Sequence, residues 1–310
     1  MTDHGPWAMR FSPGKAAIGR ADPTEVSPMS YLVLKTINNN IVSCVDAQGK
    51  ELIIMGRGLG FGVKSGARLS EDRVEKVFRM EDPTEANRLK SLFAALPPEQ
   101  IRLCASIIEY AKETLGKELN EGIYYTLTDH ISFTLQRIRK GVQFSNALQT
   151  EVRIFYPKEY AVGLHALDLI EQQLKMRLPE DEAATIALHI VNAEYSTSIS
   201  VTMHTVQAMH DLVGLLDQWE GLHVDHGSLY FDELIVHLKF VALSAFSGQP
   251  NVREERDFVA LVRQLFPTEY ACAEAMIQYL SRQSHCPLPD ECIAYLCVYI
   301  HRITTCSSEE

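Results

Sequence analysis

The chain has 310 residues, 46% of them hydrophobic, which is enough for two or three folded domains and too apolar for a disordered chain. No apolar run reaches membrane-spanning length and the N-terminus carries no apolar signal core, so membrane insertion and export are both disfavoured and a cytoplasmic protein is expected. The formal charge of −11 is unevenly spread: residues 29–80 hold eight Lys/Arg against five Asp/Glu, while residues 81–310 hold 18 against 32. A basic piece on an acidic body can meet a polyanion with one end and repel it with the other, although a solvated basic face has the same composition. Seven scattered cysteines without a C-x-x-C pair are expected to be reduced core thiols.

Residues 1–28 are rich in Gly, Pro and small residues without sustained periodicity, and are expected to form a disordered leader, with Met29 as an alternative start. From residue 31 apolar and polar residues alternate in short runs, Tyr31–Ile37, Asn40–Val45, Glu51–Met55 and Arg73–Arg79, separated by turns. This predicts four antiparallel strands. A unit of some fifty residues has a marginal core, and dimerisation is the usual remedy.

Two runs in this region share a chemistry. Lys35-Thr-Ile-Asn-Asn-Asn-Ile41 ends a strand in an amide-rich turn, and Met55-Gly-Arg-Gly-Leu-Gly-Phe61 is a glycine-rich loop with one cation and one ring. Glycine allows close backbone approach and positive φ. Asn can pair with base edges, Arg with phosphate or guanine, and Phe can stack, as the reading of splayed nucleotides requires. The same pattern fits a plain connecting loop. It is neither a Walker A loop nor a dinucleotide fingerprint, since no Gly-Lys-Ser/Thr follows it and no βαβ unit surrounds it.

Beyond residue 81 the period becomes helical. Pro97-Pro98-Glu99 opens one helix, with Ile101, Cys104, Ile107, Ile108 and Ala111 as its apolar stripe and Gly116 as its stop. Further helices are predicted near 121–139, 145–155, 157–176 and 180–194. The sequence then repeats. Phe155-Tyr-Pro-Lys-Glu-Tyr-Ala161 returns as Leu265-Phe-Pro-Thr-Glu-Tyr-Ala271, and Leu178-Pro-Glu-Asp-Glu182 as Leu288-Pro-Asp-Glu-Cys292, both displaced by 110 residues. Self-similarity at domain length means a duplicated helical module. The fold class is therefore multidomain α+β: a small antiparallel four-stranded β domain at 29–84, then two duplicated all-α helical bundles at 85–197 and 198–310.

Three histidines occupy related positions in the repeat: His130 in Leu127-Thr-Asp-His-Ile, His237 in Leu234-Ile-Val-His-Leu, and His189 in Ile186-Ala-Leu-His-Ile190. The counterpart of His189 is Tyr299. A histidine on an apolar helix can be a packed core residue; it can also accept a phosphoryl group, since neutral imidazole is a nucleophile. Around His223-x-x-His226 no nearby Cys or carboxylate completes an obvious zinc set, so no metal is expected. No motif gathers a nucleophile, a base and an orienting group, so an enzyme is not expected and no cofactor is implied.

These residues together resemble a known family. Lys35-Thr-Ile-Asn-Asn-Asn-Ile41, Gln48-Gly-Lys-Glu51, Met55-Gly-Arg-Gly-Leu-Gly-Phe61, Lys64-Ser-Gly66 and Val74-Glu-Lys-Val77 look like the RNA-binding domain of the BglG family of transcriptional antiterminators. Leu127-Thr-Asp-His130, Leu178-Pro-Glu-Asp-Glu-Ala183, Ile186-Ala-Leu-His-Ile-Val-Asn-Ala-Glu194 and His237-Leu-Lys-Phe240 look like that family's paired phosphotransferase-system regulation domains. The resemblance implies a homodimer that binds a stem-loop in leader mRNA, prevents a terminator from folding and turns on a sugar-utilisation operon. It implies Lys35, Asn38, Asn40, Arg57, Gly58 and Phe61 facing RNA. It implies His130, His189 and His237 as phosphoacceptors, with the phosphocarrier protein HPr and a sugar-specific permease as donors. The family usually has a fourth histidine where this chain has Tyr299. His301 lies two residues on, about 200° round a helix, and is not a simple substitute. A different class of reading is a phosphorylation-responsive interaction module without RNA binding, its β domain serving only to dimerise.

Overall fold

The computed structural model describes residues 31–80, 82–142, 145–248 and 256–305. The expected leader and its alternative start at Met29 lie outside the described residues. Strands β1 (Tyr31–Asn38), β2 (Ile41–Val45), β3 (Glu51–Met55), β4 (Arg68–Leu69) and β5 (Lys76–Phe78) form one antiparallel sheet in the order β4-β1-β2-β3-β5. The four expected strands are β1, β2, β3 and β5. The sheet is nevertheless five-stranded, because Arg68–Leu69 pairs with Leu32 and Tyr31 along the far edge. Two residues are too few for alternation to announce a strand.

Side chains alternate across a sheet, and here both faces are covered. Tyr31, Val33, Val42, Cys44, Leu52, Ile54 and Leu69 point to one side and bury Leu59 of the glycine loop. Ile41, Ile53, Met55 and Phe78 point to the other and pack on helices. Strands β2 and β3 are thus buried almost throughout.

The helices are α1 (Pro83–Ala95), α2 (Pro98–Leu115), α3 (Ile123–Arg139), α4 (Gln149–Phe155), α5 (Pro157–Leu174), α6 (Glu182–Tyr195), α7 (Ile199–Asp217), α8 (Leu229–Phe246), α9 (Arg256–Leu265), α10 (Pro267–Ser284) and α11 (Asp290–Thr305). The run α2 to α6 recurs as α7 to α11. Both α5 and α10 open on a proline, whose missing N–H would be unsatisfied there anyway. Both end on a left-handed residue, Lys175 and His285, which are themselves 110 apart. Helix α6 crosses α5 so closely that a Cβ at Gly163 would lie 2.2 Å from the Ala183 carbonyl oxygen. None of the described helices is long and apolar enough to cross a membrane.

Helix α1 joins sheet to bundle. Asp82 caps it, accepting the Thr84 N–H at 2.7 Å, and Pro83 fills its first turn. Its buried stripe is Ala86, Leu89 and Phe93. Phe78 stands edge-on to Phe93 and to Tyr124 of α3, with ring centroids 5.1 and 5.0 Å away. Around this wedge run ion pairs Lys76–Glu109 (2.6 Å), Lys90–Glu51 (2.8 Å) and Arg102–Glu75 (3.0 Å). Such partly exposed pairs are worth at most about 1 kcal/mol each, so the aromatic wedge carries the junction. Phe78→Ala is expected to lower unfolding free energy by about 3–5 kcal/mol in a urea titration. A loss below about 1 kcal/mol would show that the junction does not depend on it.

Candidate functional site

The polar turn after β1 and the glycine loop after β3 are zipped together. Gly56 N–H donates to the Asn40 carbonyl at 2.9 Å and Gly60 N–H to the Asn39 carbonyl at 3.0 Å. The Asn40 side-chain oxygen accepts the Gly58 N–H at 2.8 Å, and the Arg73 guanidinium donates to the Gly58 carbonyl at 2.9 Å. The glycines divide the work. A Cβ on Gly56 or Gly60 would sit 2.0 Å from the Arg73 carbonyl oxygen or 2.2 Å from that of Asn38, so these two permit close approach. Gly58 and Gly62 have φ of 63° and 69°, so these two permit the turn.

The expected RNA-facing residues fall into two groups. Lys35, Arg57 and Phe61 present their side chains to solvent, Phe61 with 77% of its surface exposed. Asn38 uses both ends of its side-chain amide within the protein, and Asn40 its side-chain oxygen. Asn38 donates its amide to the Phe93 carbonyl of α1 at 2.9 Å and accepts the Asn40 N–H at 2.9 Å, while Asn40 holds the loop through Gly58. They are braces for the presenting residues. Leu59, fully buried, and Arg73 also brace the loop. An apolar residue alone among glycines was the available signal for Leu59; Arg73 had none.

A second constellation lies on α3 and α6. His130, Thr134 and Arg137 are spaced i, i+4, i+7 and form one stripe of α3. All three reach Glu182 at the start of α6: His130 Nε2 at 3.0 Å, Thr134 Oγ1 at 3.4 Å, and Arg137 through Nη2 on the other carboxylate oxygen. Burial alone would raise the Glu182 carboxyl, but the hydrogen bonds and charges of His130 and Arg137 outweigh it and hold it below the usual carboxylate range. His189, two turns further along the same face of α6, lies 5.0 Å from His130 between ring centroids, at 34°. Burial, then the neighbouring His130, push His189 down to about 3, and its Nδ1 is buried without a hydrogen-bond partner. It is neutral at physiological pH and so keeps a nucleophilic lone pair.

The second module repeats the ring pair and little else. His237 of α8 stacks on Tyr299 of α11, with centroids 4.6 Å apart at 27°. Burial pushes His237 down to about 4. The positions of Thr134, Arg137 and Glu182 are taken by Val241, Ser244 and Cys292. His301 faces elsewhere: its Nδ1 lies 2.9 Å from Glu269 and its ring stacks on Phe266 at 3.8 Å, so the geometry does not put it in the place of a fourth histidine. His226 pairs with Asp217 at 2.8 Å, and among the described residues no group of three or more His, Cys, Asp or Glu is placed to hold a metal. Burial pushes the thiols of Cys44, Cys104, Cys272 and Cys297 up to about 12 and that of Cys292, with Glu291 adding to it, up to about 11, which makes them inert packing.

A braced, cationic and aromatic loop on a sheet, joined to duplicated histidine-bearing bundles, is the architecture expected of an RNA-binding regulator. The comparisons agree. The CAT RNA binding domain family matches residues 31–87, and the PRD domain family matches 105–193 and 220–303. Transcription antiterminator LicT of Bacillus subtilis (strain 168) is 36% identical over 271 residues, covering 87% of this chain and 98% of that one. The beta-glucoside operon antiterminator of Dickeya chrysanthemi is 34% identical over 271 residues, covering 87% and 96%. A solved structure, GlcT CAT-PRDI, is 30% identical, covering 53% of this chain and 98% of its own, with a TM-score of 0.49. The chain belongs to the BglG/LicT-type family of transcription antiterminators, which are RNA-binding regulators and not enzymes.

The buried imidazoles set a pH dependence. The unfolded chain takes up protons on His189 and His237 near their ordinary value of 6.5, whereas the folded chain resists until about 3 and about 4. The unfolded state therefore binds more protons in that window, and stability falls as pH drops through it. His237→Phe, which keeps the stack on Tyr299, is expected to flatten the slope of unfolding free energy between pH 6.5 and about 4 by up to about one proton. Identical slopes in wild type and variant would contradict a buried neutral His237.

Proposed function

We propose that this antiterminator turns on a sugar-utilisation operon by holding, as a homodimer, a stem-loop of the leader mRNA that would otherwise give way to a terminator. Residues 29–84 grip the RNA, and the modules at 85–197 and 198–310 control the grip in the cytoplasm. Lys35, Arg57 and Phe61 contact the RNA directly, while Asn38, Asn40 and Gly58 keep the loop in shape for it. The observation that carries this reading is Phe61, left 77% exposed at the tip of a loop that is braced on every other side. A lone exposed ring beside a guanidinium suits base stacking next to a phosphate contact. Leu32 and Leu34, both exposed on β1, supply apolar surface for a second copy.

Control enters through the histidines. His130 and His189 take phosphoryl groups in the first module and His237 in the second, from a sugar-specific permease and from the phosphocarrier protein HPr. Permease-dependent transfer inhibits when the sugar is absent, and HPr-dependent transfer activates when preferred sugars are scarce. Each phosphoryl group adds about −1.5 to −2 charges by analogy with other phosphorylated side chains, a large local change in an already acidic body. The two relatives named for antitermination support the RNA-binding part of the reading, and the two PRD domain matches its regulatory part in general.

Binding of the full chain to a partly mismatched RNA hairpin tests it. Affinity is expected to fall with salt, because phosphate contacts release counterions. Arg57→Ala and Phe61→Ala are each expected to weaken it by about 1–3 kcal/mol, the scale of one base contact or stack. If both variants bind as wild type does, the loop is not the RNA interface.

A further inference from the structure

The two duplicated histidine pockets differ in one respect that bears on chemistry. In the first, a buried carboxylate meets the imidazole. Glu182 is only 4% exposed and sits at the focus of three donors from α3, with His130 Nε2 at 3.0 Å. Arg137 and Thr134 hold the carboxylate in place, since each reaches it from the same stripe that carries His130. In the second pocket the corresponding residue is Cys292, buried and without charge, and His237 stacks on Tyr299. The residue before it, Glu291, occupies the position of Asp181 and not that of Glu182.

We propose that Glu182 is the positioning residue for phosphoryl transfer to the first module: it holds the Nε2–H of His130, so that the Nδ1 lone pair attacks the incoming phosphorus. This rests on His130 being a phosphoacceptor. A carboxylate on one ring nitrogen fixes the tautomer and turns the other nitrogen outward as a base or nucleophile. In the step, the bond between phosphorus and the donor's nitrogen breaks, its electron pair leaving with that nitrogen. The Nδ1 lone pair forms the new P–N bond. The Nε2 proton stays on the ring, and the positive charge that develops there is balanced by Glu182. Arg137 is a positioning residue one step further out, keeping the carboxylate ionised and aimed. The second module lacks the carboxylate, so His237 accepts a phosphoryl group more slowly than His130. The two modules then answer the same donor on different timescales.

Phosphoramidate, a small donor with a phosphorus–nitrogen bond, tests this on the full chain without any carrier protein, with label followed residue by residue. In wild type, His130 is expected to label faster than His237, and at Nδ1 as resolved by phosphorus–nitrogen NMR. Glu182→Gln is expected to slow His130 by at least about tenfold and to spread its label over both ring nitrogens, while the rate at His237, measured in the same molecules, stays unchanged. Arg137→Ala is expected to slow His130 as well, and Arg137→Lys to restore it. A merely structural Glu182 would leave the labelled nitrogen as it is. Should a variant fail to fold, nitrogen-15 spectra of wild type alone decide, with the proton of neutral His130 expected on Nε2. Wild-type label at Nε2, or Glu182→Gln labelling at the wild-type rate, overturns the proposal while leaving His130 a phosphoacceptor. No label on His130 at all overturns both that reading and the proposal.

Discussion

The wedge of Phe78 between Phe93 and Tyr124 is the contact on which the rest of the molecule depends. A five-stranded sheet of some fifty residues has two faces to cover and little chain to do it with. One face is closed by its own glycine loop, through Leu59. The other is closed by α1, α2 and α3, through Ile41, Ile53, Met55 and Phe78. The shape of the loop therefore depends on the sheet, and the sheet on the first helical module. Asn38 spans the same boundary, bracing the loop turn with one end of its amide and bonding α1 with the other.

That arrangement places the glycine loop and the histidine cluster of the first module on elements that pack on one another. Tyr124 and His130 both belong to α3, about 9 Å apart along its axis at 1.5 Å per residue. Glu109 of α2 accepts from both Lys76 of β5, at 2.6 Å, and the Tyr124 hydroxyl, at 2.5 Å. His130 thus lies on a helix that also carries the base of the sheet, in a packed interior with little slack to absorb a displacement. The second module is tied in separately: Lys239 of α8 donates to the Phe155 carbonyl at 3.0 Å, beside the Tyr156 ring. The duplicated modules have pockets of similar ring geometry, but Cys292, Ser244 and Tyr299 stand where the first module has Glu182, Arg137 and His189, so the two are chemically unequal.

Much of this was legible in the amino-acid order, and the exceptions have physical reasons. Alternation revealed β1, β2, β3 and β5, and the 110-residue repeat revealed the doubled bundle. Strand β4 has too few residues to show a period. Helix α1 hid because only Ala86, Leu89 and Phe93 mark its buried face, although Asp82-Pro83 is a start signal. The loop chemistry was visible in its residue types, but the direction of an amide is not: Asn38 donates to the Phe93 carbonyl, and the Asn40 side-chain oxygen accepts from Gly58. The spacing of His130, Thr134 and Arg137 was readable as one helical stripe. Its meeting point, Glu182, lies 52 residues from His130 and required the packing of α3 on α6 to be known.

Sheet and first module share one core and should open as a single cooperative body, which native-state hydrogen exchange can resolve amide by amide. The slowest amides of β2, β3 and α3 are expected to exchange through one common opening, with equal free energies and equal sensitivity to denaturant. Amides of β2 and β3 that open several kcal/mol more easily than those of α3 would contradict it, since the sheet would then fold and unfold without the helices beneath it.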